Sequence, residues 1–166
     1  MIDAAIDAPD SRMLAECPVP PTNCSRIISA CLPETSCYYR CTTNRDWDDA
    51  KVRCEQDGMG CLVTLNDANE NSCLALTLDA SMSTNRYWIG YRQTDTSNEP
   101  LAGWTWPCAG AVSSFTPSPP WGLPPPVNEP NDNNGNEDCA MVVNNFGHWN
   151  DAACSDQIDY VCEFPR

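Results

Sequence analysis

Glu129-Pro130-Asn131-Asp132, then Glu137-Asp138-Cys139, then Trp149-Asn150-Asp151, closed by Cys154, is the stretch that decides how this chain is read. From Glu129 to Asp151 it carries five carboxylates (Glu129, Asp132, Glu137, Asp138 and Asp151) and no Lys or Arg. Anionic side chains crowded in this way repel one another unless a cation sits between them. Hard oxygen donors suit Ca²⁺, which takes about six to eight of them in a flexible shell. A solvated acidic loop is the bland alternative. It has no need of the interleaved Asn131 and Asn150, or of the pins at Cys139, Cys154 and Trp149.

Composition narrows the setting. A chain of 166 residues accommodates one domain with a substantial core, and six Trp, five Tyr and three Phe supply bulky material for it. Fifteen prolines and eight glycines predict a loop-rich fold without long helices. A formal net charge of −14 argues against nucleic acid or an anionic membrane surface as partner. No apolar run reaches the length of a membrane span. Twelve scattered cysteines without a Cys-x-x-Cys pair predict disulfides rather than zinc, hence an exported, oxidising compartment: extracellular or cell-surface.

Along the chain, residues 1–16 read as a flexible acidic leader, and 17–36, with Cys17, Cys24 and Cys31 among prolines, as a disulfide-stapled extension. The domain proper is expected over 37–166. Cys37–Cys41 reads as a strand and Arg45–Glu55 as a short amphipathic helix stopped by Asp57-Gly58. Cys61–Leu65 reads as a second strand. Ala68–Leu78 reads as a second helix with Glu70 in its first turn. Trp88–Tyr91 predicts a buried strand in which Gly90 permits close backbone approach. A strand at Trp104–Trp106, a proline-rich loop over 117–130, and closing strands at Ala140–Val143 and Ile158–Cys162 complete the reading.

These marks in this order resemble the C-type lectin domain family. The Glu-Pro-Asn and Trp-Asn-Asp segments are accompanied by Trp47, Ala50, Cys54, Gly58, Leu62, Glu70, Trp88-Ile89-Gly90-Tyr91, Gly103-Trp104-Thr105-Trp106 and Tyr160-Val161-Cys162-Glu163. The resemblance covers roughly residues 37–164. It implies an α+β fold of two helices, two small antiparallel sheets and a long calcium-binding loop region. It also implies Cys54–Cys162 and Cys139–Cys154 pairings, with Cys37 joined to an N-terminal cysteine; Cys41, Cys61, Cys73 and Cys108 exceed its pattern. Carried over residue by residue, the principal Ca²⁺ and sugar ligands are Glu129, Asn131, Glu137, Asn150 and Asp151, with Pro130 cis. Asp95, Glu99, Asp132 and Asp138, with Glu137, are candidates for an auxiliary Ca²⁺ site; for Asp95 and Glu99 the alternative is plain surface acids.

The function implied is calcium-dependent, non-catalytic binding of glycans with mannose-type terminal sugars (mannose, glucose, N-acetylglucosamine, fucose), with avidity from multivalent assembly. One rival is a protein- or ice-binding member of the same fold, since fold alone does not fix function. Another is a hydrolase using paired carboxylates. His148, the single histidine, has no nucleophile motif beside it and reads as a ligand contact or bystander. Trp88, Trp104, Trp106 and Trp149 are expected in the core, and so is Trp121 despite its place near the site.

Overall fold

A computed structural model describes residues 16–56, 60–79, 86–111, 113, 115, 119–122, 128–143 and 147–166. The expected leader (except residue 16), the Asp57-Gly58 helix stop and part of the proline-rich loop lie outside them. In chain order the elements are β1 (Cys24–Ile27), β2 (Ser36–Arg45), α1 (Trp47–Glu55), β3 (Cys61–Leu62), α2 (Ala68–Asp79), β4 (Arg86–Gln93), β5 (Trp104–Thr105), β6 (Cys139–Val143), β7 (His148–Ala152) and β8 (Ile158–Pro165).

Local chemistry sets the helix starts. Asp46 caps α1 by accepting from Asp49 N at 2.8 Å, and Asp67 caps α2 by accepting from Asn69 N and Glu70 N at 2.8 and 2.9 Å. An N-cap of this kind is worth about 1 kcal/mol.

The strands run in the order β1-β2-β8-β4-β6-β7, with β3 on β8 and β5 on β4. The two expected antiparallel sheets are joined into one mixed path by a parallel pair, β4 with β8, where Tyr87 faces Asp159 and Trp88 faces Tyr160. Alternation along the strands buries both faces. One core collects Tyr38, Tyr87, Ile89, Tyr91, Val142, Val161 and the inner side of α2. The other collects Tyr39, Trp88, Met141, Tyr160, Cys162 and the inner side of α1. Gly90 does what its position predicts. Its N–H reaches Val63 O at 2.9 Å, and a Cβ there would stand 2.7 Å from Leu62 O. The three largest buried side chains all satisfy their indole N–H: Trp47 on Ile89 O, Trp88 on Arg45 O and Trp149 on Asn71 Oδ1, at 2.9, 2.9 and 3.0 Å.

Six disulfides staple this core, and every cysteine is paired. Cys54–Cys162 and Cys139–Cys154 form as the resemblance implies, and Cys37 pairs with Cys17. The cysteines left unassigned by sequence form Cys24–Cys41, Cys31–Cys73 and Cys61–Cys108. Two of these tie the segment before β2 to β2 and to α2. The third ties β3 to the chain beyond β5. The Cys54–Cys162 bridge spans 108 residues and Cys139–Cys154 spans 15. On loop-closure entropy the first contributes about 4.7 and the second about 3 kcal/mol.

Candidate functional site

The carboxylate stretch is held from two sides. On one, β7 pairs with β6 so that Asp151 faces Ala140 and Asn150 faces Met141. On the other, the first part of the proline-rich loop clips onto β7. Trp149 N donates to Pro120 O at 2.9 Å and Gly122 N donates to Trp149 O at 2.8 Å. Gly122 is needed here, because a Cβ would lie 2.9 Å from Glu129 Cγ. Between these supports the chain turns through Asp132, Asn134 and Gly135 with φ of 45, 66 and 70°, a left-handed path that short polar residues and glycine tolerate.

Asp151 is the organising group. It is fully buried, and its carboxylate accepts from Asn131 N at 3.0 and 2.9 Å and from Asp132 N at 2.7 Å. Its backbone carbonyl accepts from Asn150 Nδ2. The Glu129–Pro130 peptide is cis, as expected, and Asn131 Nδ2 donates to Glu129 Oε2 at 2.6 Å. Asp132 Oδ1 accepts from Glu137 N at 3.1 Å, and Glu137 Oε2 accepts from Asn133 N at 2.9 Å. The structure therefore brings Glu129, Asn131, Asp132, Glu137, Asn150 and Asp151 to one place.

Negative charge is concentrated there, and among the described residues no Lys or Arg forms an ion pair with these acids. Between Arg92 and Arg166 the sequence has no Lys or Arg. Burial first, then the facing Asp151 carboxylate and the field of Glu137, push the Glu129 carboxyl up to about 8; the Asn131 amide opposes the shift. Burial, then Asp151, Asp132 and Asp156, also raise Glu137, against the hydrogen bond from Asn133.

The four auxiliary candidates separate. Partial desolvation, then Asp132 and Asp138, raise the exposed Glu99, so these three acids share one field. Asp95 stands apart. It caps a short 3₁₀ turn at Thr96–Asn98 by accepting from Ser97 N at 3.0 Å, and hydrogen bonding first from the Ser97 side chain and then from this N–H holds its carboxyl below the usual range. Among the described residues, no three His, Cys, Asp or Glu side chains converge into a metal cage of those types alone. The principal cluster mixes carboxylates with the Asn131 and Asn150 amides.

His148 lies half-buried on β7. Trp121 is packed rather than displayed, 4.9 Å from Trp104 and 5.9 Å from Trp149 between ring centroids.

Sequence reading missed one carboxylate arrangement behind the loop. Glu70, expected as a first-turn helix acid, is buried, accepting from Tyr38 Oη at 2.5 Å and Asn66 N at 2.7 Å. Its neighbour Glu163 accepts from Ser36 Oγ at 2.7 Å and Thr64 N at 3.1 Å. Together they clamp the Thr64–Asn66 segment. The run of apolar residues around it, Leu62–Leu65, is the sequence signal that a nearby acid would be buried.

Comparison with known proteins agrees with this geometry. The Lectin C-type domain family matches residues 43–164. C-type lectin domain family 4 member G of Mus musculus is 33% identical over 144 residues, which is 86% of this chain and 44% of the mouse protein. Hepatic lectin of Gallus gallus is 32% identical over 133 residues, 80% of this chain and 56% of that protein. The chain thus spans about half the length of these two relatives. An alpha-N-acetylgalactosamine-specific lectin of Patiria pectinifera is 33% identical over 137 residues, 77% of this chain and 73% of that protein. Among solved structures, C-type lectin CEL-I from Cucumaria echinata superposes with a TM-score of 0.67 at 21% identity, covering 90% of this chain and 97% of that one. A calcium-independent type II antifreeze protein superposes with a TM-score of 0.59 at 20% identity, covering 85% and 96%, so the fold by itself does not specify an ion. On the match over residues 43–164 and these relatives, the chain belongs to the C-type lectin domain family.

Proposed function

We propose that this chain is a calcium-dependent carbohydrate-binding module of an exported protein, binding mannose-type sugars and catalysing no reaction. The observation that carries the reading is the Glu129–Asn131 pair. The two side chains flank a cis Pro130 and meet at 2.6 Å, beside the buried Asp151, in a stretch without a cation. This donor set fits a hard divalent ion: oxygen donors only, mutually repelling, and half-buried.

Glu129, Asn131, Glu137, Asn150 and Asp151 are the proposed ligands. Glu99, Asp132 and Asp138, with Asp95 at their margin, are proposed for an auxiliary ion. Bound Ca²⁺ supplies Lewis-acidic positions that two adjacent sugar hydroxyls occupy. The protein's part is to complete each hydroxyl's hydrogen bonding, with Glu129 as acceptor and the Asn131 amide as donor.

With an acceptor at 129 and a donor at 131, the site suits vicinal equatorial hydroxyls, as in mannose, glucose and N-acetylglucosamine, and the corresponding pair of fucose. The axial 4-hydroxyl of galactose leaves one polar group badly paired, at a cost of about 1–3 kcal/mol. The names of the relatives support carbohydrate binding in general, and one is named for N-acetylgalactosamine; the preference proposed here rests on this chain's own donors. Six disulfides support an oxidising compartment.

The test is competition on immobilised mannose. Free mannose should elute the protein in calcium, galactose should do so about tenfold less well, and EDTA should release it fully. Retention that survives EDTA refutes calcium dependence, and absence of retention in calcium favours the protein- or ice-binding rival. Glu129→Gln with Asn131→Asp should reverse the order of the two sugars.

A further inference from the structure

Beside the proposed ion site lies a cavity of about 380 Å³, within the range of small-molecule sites. Glu129 and Pro130 form part of its wall; Leu101, Trp104, Phe115 and Trp121 supply an apolar half of the lining, and the other half is polar. Another cavity, of about 540 Å³, lies beside Cys61–Cys108 and shares no lining residue with this one.

Three observations bear on what the smaller cavity takes. Leu101 is 79% exposed, an uncovered large apolar side chain next to the most acidic part of the molecule. Trp104 and Trp121 meet at 4.9 Å and 59°, and Trp104 stacks on Tyr91 at 5.5 Å and 24°, so the two indoles form a rigid corner rather than a flat platform. Three polar groups of the wall away from Glu129 are already engaged. Trp104 Nε1 donates to Pro100 O at 2.8 Å, Ala102 O accepts from Gln93 Nε2 at 2.6 Å, and Gly103 O accepts from Thr94 N at 2.9 Å. A second sugar ring would find few partners for its hydroxyls there. An alkyl or aryl group needs none.

We propose that this cavity is a subsite for the apolar aglycone of a glycoside whose terminal sugar is held at Glu129 and Asn131. The ligand class is then an amphiphilic glycoconjugate, recognised by its sugar at the ion and by its hydrophobic stem in the Leu101–Trp104–Trp121 corner. The inference rests on the calcium-dependent sugar reading above, because continuity between site and cavity is what joins the two halves of the ligand.

The experiment compares methyl, hexyl and mannobiosyl α-mannosides as inhibitors of retention on mannose, in calcium and in EDTA. Hexyl mannoside stays monomeric in this use and should inhibit about tenfold better than methyl mannoside, about 1.4 kcal/mol, with mannobioside near the methyl compound. Leu101→Asn should shrink the hexyl advantage to about threefold, and its exposure makes misfolding an unsuitable explanation. Val19→Asn, an exposed apolar residue distant in sequence from the cavity, should leave the advantage intact. Equal inhibition by methyl and hexyl mannosides overturns the subsite while leaving calcium-dependent sugar binding standing. A mannobioside advantage without a hexyl one replaces the aglycone with a second sugar and overturns it too. An unchanged ratio in Leu101→Asn refutes the placement. Failure of all three mannosides overturns the sugar reading, and the subsite with it.

Discussion

Carboxylates leave bulk water at two places in this molecule, and the two are completed differently. At the start of α2 and on β8, Glu70 and Glu163 are met by the protein's own donors: Tyr38 Oη, Asn66 N, Ser36 Oγ and Thr64 N. In the loop, Asp151 is met by the backbone of Asn131 and Asp132, but Glu129 has one amide, from Asn131, and otherwise faces Asp151. Burial raises the carboxyl in both places, and a neighbouring acid adds to it in both, Glu70 to Glu163 and Asp151 to Glu129; only in the loop does the neighbouring carboxylate also stand within hydrogen-bonding reach. The difference teaches which acids are structural. A buried acid whose oxygens are shared among neutral donors is part of the scaffold. One held directly against another carboxylate keeps a repulsion that only protonation or a positive charge relieves.

The largest expected effect separates these roles by exchanging a single oxygen in each. Asp151→Asn turns an amide toward the N–H groups of Asn131 and Asp132, and it should abolish calcium-dependent retention with a stability loss of about 2–3 kcal/mol in calcium. Glu70→Gln should cost about 1–3 kcal/mol as well, because Tyr38 Oη and Asn66 N can no longer both donate to it. Its cost should be equal in calcium and in EDTA, with retention intact. Chemical denaturation of both variants, with and without the ion, provides the check. A calcium-dependent cost for Glu70→Gln would break the contrast.

How far the sequence foretold this contrast depends on the residue. The loop acids declared themselves by crowding, by the absence of Lys and Arg and by the family resemblance, and Pro130, Cys139 and Cys154 behave as that resemblance implies. The two helices appear within two residues of their expected ends, since Asp46 and Asp67 are good caps placed ahead of apolar spacing. The strand β7 was not foreseen. Its alternation buries Trp149 and Asp151, and a buried carboxylate reads as a loop residue until its backbone donors are known. Glu70 hid for the same reason. Cys24–Cys41, Cys31–Cys73 and Cys61–Cys108 had no sequence signal, because pairing depends on distances that only the folded chain fixes. Asp95 lies at the expected spacing from Glu99, and the turn cap it makes with one oxygen on Ser97 N was not legible in that spacing.

A smaller effect tests the loop alone. In EDTA the Glu129 carboxyl, raised from 4.5 to about 8, is protonated more readily in the folded than in the unfolded chain. Its contribution to stability is therefore complete below about pH 4.5 and is lost as pH rises through about 8. Ion-free protein should melt at lower temperature at pH 9 than at pH 6, and Glu129→Gln should remove part of that decline, raising the pH 9 melting temperature by a few degrees. In calcium the same substitution should lower it, because a ligand is gone. Calorimetry at the two pH values decides between them. Destabilisation by Glu129→Gln in both conditions would mean that Glu129 resembles Glu70 more than a cation ligand.

The smallest effect belongs to the scaffold acids. Ser36 Oγ donates to Glu163 Oε1 at 2.7 Å and stabilises the ionised form of a carboxyl that burial, with help from Glu70, otherwise raises. Ser36→Ala removes one hydrogen bond from a half-buried position, a loss of about 1 kcal/mol and about 2–4 °C in melting temperature for a chain of this size. Without the hydroxyl the Glu163 carboxyl rises further, so the loss is greatest where Glu163 is ionised and smaller once it is protonated. Urea denaturation of wild type and Ser36→Ala at pH 8.5 and pH 5 should give a larger difference at the higher pH, the same in calcium and in EDTA. An equal difference at both pH values would show that the Ser36 hydroxyl does not serve the Glu163 anion. A difference that appears only in EDTA would show that the two carboxylate sites are coupled through the sheet, and the contrast between them would have to be redrawn.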